Sequence, residues 1–146
     1  MFTKAYIFDI DGTLADNDHR LQYITNYPKD YKTFYEEMIN DKPIKNVISL
    51  CKVLYSNDYK ILLVTGRPEN YRKLCKQWLA KYNIPYDDLL MRKENDFRKD
   101  DIIKKEIYDE YIKPYEVVVG VFEDRNRCVK MWRDLGLTCY QPKETE

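Results

Sequence analysis

The sequence is poor in the residues that loosen a chain or bind soft metals. It has four glycines in 146 residues, against fourteen tyrosines and a hydrophobic content of 44%. That balance excludes a disordered chain and implies a packed globule within the size range of one domain, residues 1–146. One histidine, His19, and four scattered cysteines, Cys51, Cys75, Cys128 and Cys139, form no C-x-x-C pair and no zinc-ligand spacing. The cysteines are expected to be reduced core thiols. Neither sign of charge prevails: 25 Lys and Arg balance 25 Asp and Glu. There is thus no global basic field for non-specific nucleic-acid binding, and any such contact must be local. No apolar run approaches the roughly 20 residues of a membrane span, and Met1 to Lys4 lacks a signal-peptide layout. The expectation is a soluble, cytoplasmic protein with no membrane partner and no obligate protein partner evident.

What is present alternates. Short apolar runs rich in β-branched and aromatic residues, AYIF (5–8), ILLVT (61–65), YEVVVGVF (115–122) and LTCY (137–140), are separated by helical patterns near 44–56, 68–82, 99–112 and 125–135. A weaker strand is expected at LLM (89–91). Continuous apolar strands alternating with helices predict a parallel sheet covered on both faces, an α/β, Rossmann-like three-layer sandwich. The stretch from Asn17 to Pro43 breaks the alternation. Its Tyr, Lys and Asp content and two short helical patterns, one before Pro28 and one through YKTFYEEM, read as a small inserted cap.

The unusual polar residues fall behind the apolar runs, where open parallel sheets bind ligands. FDIDGTLAD (8–16) crowds Asp9, Asp11 and Thr13 around Gly12, which is expected to turn the chain and offer backbone N–H groups to an anion. Thr65-Gly66-Arg67 follows the second run, and is read as opening a helix whose N-terminus favours phosphate. Glu123-Asp124 follows Val117 to Phe122, and Lys104 lies on the helix between. Closely spaced buried acids are costly without a cation. Asp9 and Asp124 suit a hard divalent ion, beside hydroxyl, amide and ammonium donors suited to a phosphoryl group.

These motifs, DIDGT (9–13), LLVTGR (62–67), Lys104 and FED (122–124), resemble the four motifs of the haloacid dehalogenase (HAD) superfamily of aspartate-nucleophile phosphatases. RKDDIIKKEIY (98–108) and EDRNRCVKMWRDLGLTCYQ (123–141) are similar to the phosphatase domain of bacteriophage polynucleotide kinase/3′-phosphatase. The resemblance implies a HAD-like sheet with a small cap and a Mg²⁺ cofactor. It implies Asp9 as nucleophile and metal ligand, Asp11 as general acid/base and backbone metal ligand, and Asp124 as the remaining metal carboxylate. Thr65, Gly66 and Lys104 would hold phosphate, Arg20 and Arg67 would be functional arginines, and Asp100 an acid supporting the lysine. Two departures stand out. Glu123 replaces the relative's Asp, and the kinase P-loop G-x-x-x-x-G-K-[ST] is absent from the sequence.

The chemistry expected is in-line attack by Asp9, giving a phosphoaspartate, with protonated Asp11 serving the leaving alkoxide and then activating water. Lys104 and Thr65 would neutralise the equatorial oxygens, and Arg20 and Arg67 would grip the rest of the substrate. The substrate expected is a phosphorylated nucleic-acid end, cleaved at the 3′ position. A nucleotide, cleaved by a nucleotidase, is the alternative, and a non-catalytic module binding phosphorylated ends a third reading. The aromatics Tyr23, Tyr27, Tyr31, Phe34 and Tyr35 either stack on a base or pack the cap. Arg92, Lys93, Arg98 and Lys99 either track a nucleic-acid backbone or form a solvated loop.

Overall fold

The computed structural model describes residues 3–146. The chain begins with β1 (Thr3–Phe8) and β2 (Ala15–Asp16), then passes through short helices α1 (Gln22–Thr25) and α2 (Tyr31–Glu36) to β3 (Lys42–Pro43). From there it alternates through α3 (Lys45–Ser56), β4 (Lys60–Pro68), α4 (Arg72–Lys81), β5 (Asp88–Arg92) and α5 (Asp100–Ile107). It ends with β6 (Glu116–Phe122), α6 (Asn126–Asp134) and β7 (Cys139–Tyr140). Five strands form one parallel sheet in the order β5-β4-β1-β6-β7.

Strand side chains alternate between the two faces of a sheet, and here both faces are covered. Phe8, Ile61 and Leu63 pack with Val47, Ile48 and Cys51 of α3 and with Cys75, Trp78 and Leu79 of α4. Ala5, Ile7, Leu62, Val64 and Val121 face the other way, onto Ile103 and Ile107 of α5 and Cys128, Val129 and Trp132 of α6. Helix residues three and four apart share a face, which is why Cys75, Trp78 and Leu79 all point to the sheet. All four cysteines are buried and free. Among the described residues no helix is long and apolar enough to cross a membrane.

The second strand runs further than its sequence pattern suggests. Thr65-Gly66-Arg67 does not open a helix: β4 continues to Pro68, and α4 starts only at Arg72. Pairing with β5 sustains the strand, Thr65 opposite Met91 and Pro68 opposite Arg92, with a register shift between them. The helix read at 99–112 is α5 followed by a π-helical turn, Tyr108–Ile112. The last strand contracts to two residues, Cys139 and Tyr140.

Between β2 and β3 the chain forms the two short helices and two 3-10 turns, Asp18–Arg20 and Glu37–Asn40. An antiparallel pair, Ala15 with Pro43 and Asp16 with Lys42, closes this excursion at its base. Asp30 caps α2 by accepting from the Thr33 N–H at 3.0 Å. Phe34 is buried, and Tyr35 packs on Tyr71 of the main body with ring centroids 5.0 Å apart. For these two aromatics packing is the role the structure displays. Tyr27 and Tyr31 stay exposed.

Candidate active site

The carboxyl ends of β1, β4 and β6 meet at a cavity of about 1000 Å³, lined by Asp9, Asp11, Gly66, Arg67, Lys104 and Asp124 among others. Asp9 follows β1 directly, its N–H donating to the Phe122 carbonyl at 2.9 Å. Its Oδ1 accepts from Lys104 Nζ at 2.7 Å and its Oδ2 from Thr13 Oγ1 at 3.1 Å. Lys104 reaches it from the inner face of α5, buried at 2% exposure, and donates also to Glu123 Oε1 at 2.7 Å. Burial disfavours the lysine's charge, but the carboxylates of Asp9 and Glu123 override it and hold the ammonium ionised.

Carboxylate oxygens of Asp9, Glu123 and Asp124 lie within 4.8 Å of one another, all three residues buried. Burial, followed by the Asp9 charge, pushes Glu123 up to about 7 and Asp124 up to about 9. One ammonium cannot balance three close acids. The donors are all carboxylate oxygen, with no imidazole or thiolate, which suits a hard divalent cation such as Mg²⁺. Glu123 reaches this cluster on its longer arm while also accepting from Trp132 Nε1 at 3.3 Å.

Asp11 is placed differently from its neighbours. Its carboxylate turns from the three acids to two arginines: Arg20 Nη2 at 2.5 Å and Arg67 Nη2 at 2.6 Å. Burial works to raise its pKa, yet Arg67 and then Arg20 override this and hold the carboxyl well below the usual range. Asp11 therefore rests ionised between the two arginines in this arrangement.

Arg20 and Arg67 themselves have fully buried side chains. They do not reach out to grip a substrate, as the sequence suggests, because both are spent on Asp11 and on a residue that sequence reasoning missed, Asp41. Asp41 Oδ1 accepts from Arg20 Nε at 2.8 Å, and its Oδ2 from Arg67 Nη2 at 3.2 Å. The His19 Nε2 lies 2.7 Å from Oδ1, and Trp78 Nε1 donates to the Asp41 carbonyl at 2.9 Å. Arg20 also lies 4.6 Å over the Phe34 ring, tying the excursion to the site. An Asp before Lys-Pro in a polar stretch carries no signal that would have marked Asp41.

Other expectations are redirected. The Gly12 N–H is taken by the Ala15 carbonyl at 2.8 Å, so it is not free for an anion. Gly12 instead has a left-handed φ of +83° and lets the Asp124 carboxylate approach its Cα. Thr65 is buried, its hydroxyl accepting from the Arg67 N–H at 3.1 Å. Asp100 does not touch Lys104: it accepts from Arg92 Nη2 at 2.5 Å and Arg125 Nη1 at 3.0 Å. Arg92 and Arg98 are not free to track a backbone. Arg92 is buried on Gly66 and Asp100, and Arg98 pairs with Asp96 and Glu106.

A carboxylate at the end of the first strand of a parallel sheet, paired with a helix lysine and two further acids, defines a phosphatase of the haloacid dehalogenase class. The fold agrees with a haloacid dehalogenase-like hydrolase from Streptococcus pneumoniae, at a TM-score of 0.62 and 15% identity over 95% of this chain and 84% of that one. Within that class, the chain belongs to the family described as polynucleotide kinase PNKP phosphatase domain, which matches residues 3–146. It is 31% identical over 138 residues to a protein of Autographa californica nuclear polyhedrosis virus named as a bifunctional polynucleotide kinase/RNA ligase. It also matches a chain solved in a Pnkp1/Rnl/Hen1 complex, with a TM-score of 0.86 and 38% identity over 99% of its length. The chain covers 93% of itself but only 19% of the viral protein, and 47% of the chain in the complex.

Proposed function

We propose that this chain is a Mg²⁺-dependent phosphomonoesterase that removes phosphate from a polynucleotide 3′ end. The observation that carries the chemistry is the Asp9 carboxylate set between Lys104 and the Glu123–Asp124 pair at the floor of an open cavity. The family and the relatives named for polynucleotide kinase favour a nucleic-acid end over a free nucleotide.

Asp9, Glu123 and Asp124 would hold the divalent ion, with the Asp11 backbone completing the set. When bound, it lowers the repulsion between a carboxylate nucleophile and a phosphate dianion. Lys104 and Thr13 fix both Asp9 oxygens, so the nucleophile is oriented before substrate arrives. The equatorial phosphoryl oxygens then find the Lys104 ammonium. Asp11, ionised at rest, is set to take a proton from the water that cleaves the phosphoaspartate. Its service as proton donor to the leaving alkoxide follows from the incoming dianion, whose charge raises the proton affinity of a neighbouring carboxylate.

The test is phosphate release by purified protein with Mg²⁺, comparing a 3′-phosphorylated oligonucleotide with 3′- and 5′-mononucleotides and using Asp9→Asn as the blank. Preference for the oligonucleotide is expected. Preference for a mononucleotide would overturn the substrate, and activity equal to that of Asp9→Asn would overturn the mechanism.

A further inference from the structure

We infer that Phe97, on the loop between β5 and α5, is a base-stacking platform that reads the nucleotide adjoining the phosphorylated end. The inference rests on the polynucleotide reading above and gives it a specificity-determining residue.

Phe97 lines the same cavity as Asp9 and Lys104, yet 90% of its surface is exposed. A phenyl ring so placed adds almost nothing to the core. The backbone that carries it is nevertheless hydrogen-bonded on both sides. Arg92 Nη1 donates to the carbonyls on either side of it, Asp96 O at 2.8 Å and Arg98 O at 2.5 Å. The Asp96 carboxylate accepts from the Arg98 N–H at 3.2 Å and from its Nη2 at 2.8 Å. The same Arg92 donates through Nε to the Gly66 carbonyl at 2.8 Å. One guanidinium thus anchors the Phe97 loop and the catalytic β4 end together. Fixing the backbone on both sides of the ring before binding removes the part of the ordering cost that a mobile loop would incur on binding.

The charges beside the ring select the ligand. Arg92 and Arg98 are consumed by the loop itself, whereas Lys93 and Lys99, which also line the cavity, make no ion pair among the described residues. Two ammonium groups without an ion pair among the described residues, on the same loop and cavity wall as an exposed aromatic ring, form the combination that single-stranded nucleic acid uses: phosphates on cations, bases on a π-face. Among the acids that line the cavity, Asp16 and Asp18 belong to β2 and the turn after it, and Asp96 on the β5–α5 loop is paired with Arg98, so a polyanion is favoured along that loop. Tyr31, half exposed on α2 and lining the cavity, offers a second aromatic surface from another element. A mononucleotide has no further base or phosphate to occupy this track.

The experiment measures kcat/KM of wild type, Phe97→Ala and Phe97→Trp on three substrates: a 3′-phosphorylated oligonucleotide, the matching 3′-mononucleotide and an aryl phosphate. Phe97→Ala is expected to lower the ratio of oligonucleotide to mononucleotide kcat/KM by about tenfold to a hundredfold, the range of one lost base stack. Phe97→Trp is expected to restore it, and Lys93→Ala with Lys99→Ala to flatten the salt dependence of oligonucleotide turnover. A uniform loss on all three substrates, or an unchanged ratio, would overturn the role of Phe97 and leave the 3′-phosphatase reading standing. A wild-type enzyme that turns over aryl phosphate without preferring the oligonucleotide would overturn both.

Discussion

The Asp124 carboxylate occupies the space where a side chain on Gly12 would sit: a Cβ built there falls 2.0 Å from Asp124 Oδ2. The two residues are 112 positions apart, and their closeness joins the loop after β1 to the loop after β6. Gly12→Ala is expected to reduce phosphate release and apparent Mg²⁺ affinity by about tenfold to a hundredfold, the effect seen when the support of a metal ligand is displaced. The left-handed φ of +83° adds strain of about 1 to 2 kcal/mol. Mg²⁺ titration of activity checks it, and a wild-type titration curve would show that Asp124 moves aside at no cost.

Asp41 balances two buried arginines together with Asp11. Removing its charge leaves Arg20 and Arg67 facing a single carboxylate inside the protein. Asp41→Asn is expected to cost about 3 to 5 kcal/mol of folding free energy and to lower turnover, because the guanidinium groups that orient Asp11 lose their second anchor. Chemical denaturation measures the first and phosphate release the second. A cost below about 1 kcal/mol would mean that Asp11 alone holds the arginines, against the buried-pair expectation.

Stability should depend on pH and Mg²⁺ together. Glu123 and Asp124 have raised pKa values in the folded protein, pushed up by burial and then by the Asp9 charge. The unfolded chain loses these protons near the ordinary carboxylate value of about 4. The folded chain keeps them until about 7 and about 9. Metal-free stability from these groups therefore falls as pH rises through that window and levels off above it. A divalent cation replaces the protons, so the rise in Tm on adding Mg²⁺ should be larger at about pH 8.5 than at about pH 6. Thermal melts with Mg²⁺ or a chelator at the two pH values decide this, and equal rises would refute it.

Asp9→Asn should separate stability from activity. Loss of the nucleophile removes the covalent route, so phosphate release falls to background. The same change removes the charge that repels Glu123 and Asp124, while Lys104 keeps its bond to Glu123. Metal-free Asp9→Asn is thus expected to melt above wild type, the trade-off of a site built for function rather than stability. A lower Tm in chelator would show that the Asp9–Lys104 pair contributes more than the repulsion costs.

The apolar runs made the sheet legible because each strand is buried on both faces and so reads as continuous hydrophobic sequence. The helices were legible from the spacing of residues such as Cys75, Trp78 and Leu79. Asp9, Asp11 and Asp124 stood out because acids after apolar strands are unusual, and Lys104 because it lies on the helix between them in the order of the motifs. Strand ends were harder. Thr65-Gly66-Arg67 read as a helix start, but pairing with Met91 and Arg92 on β5 keeps it extended. Local propensity carries no information about a partner strand more than twenty residues away.

By itself, then, the sequence determined the α/β class, the alternation of elements and the identities of the acids and lysine, since periodicity and residue type are local properties. Only the tertiary structure decided where the charges are spent. Arg20 and Arg67 orient Asp11, Asp41 balances both, Glu123 joins the acidic cluster, and Arg92 and Arg98 build a loop while Lys93 and Lys99 make no ion pair among the described residues. An ion pair forms wherever the folded chain brings opposite charges within a few ångströms in a poorly solvated place. That proximity is fixed by strand order and packing, which no short stretch of sequence contains.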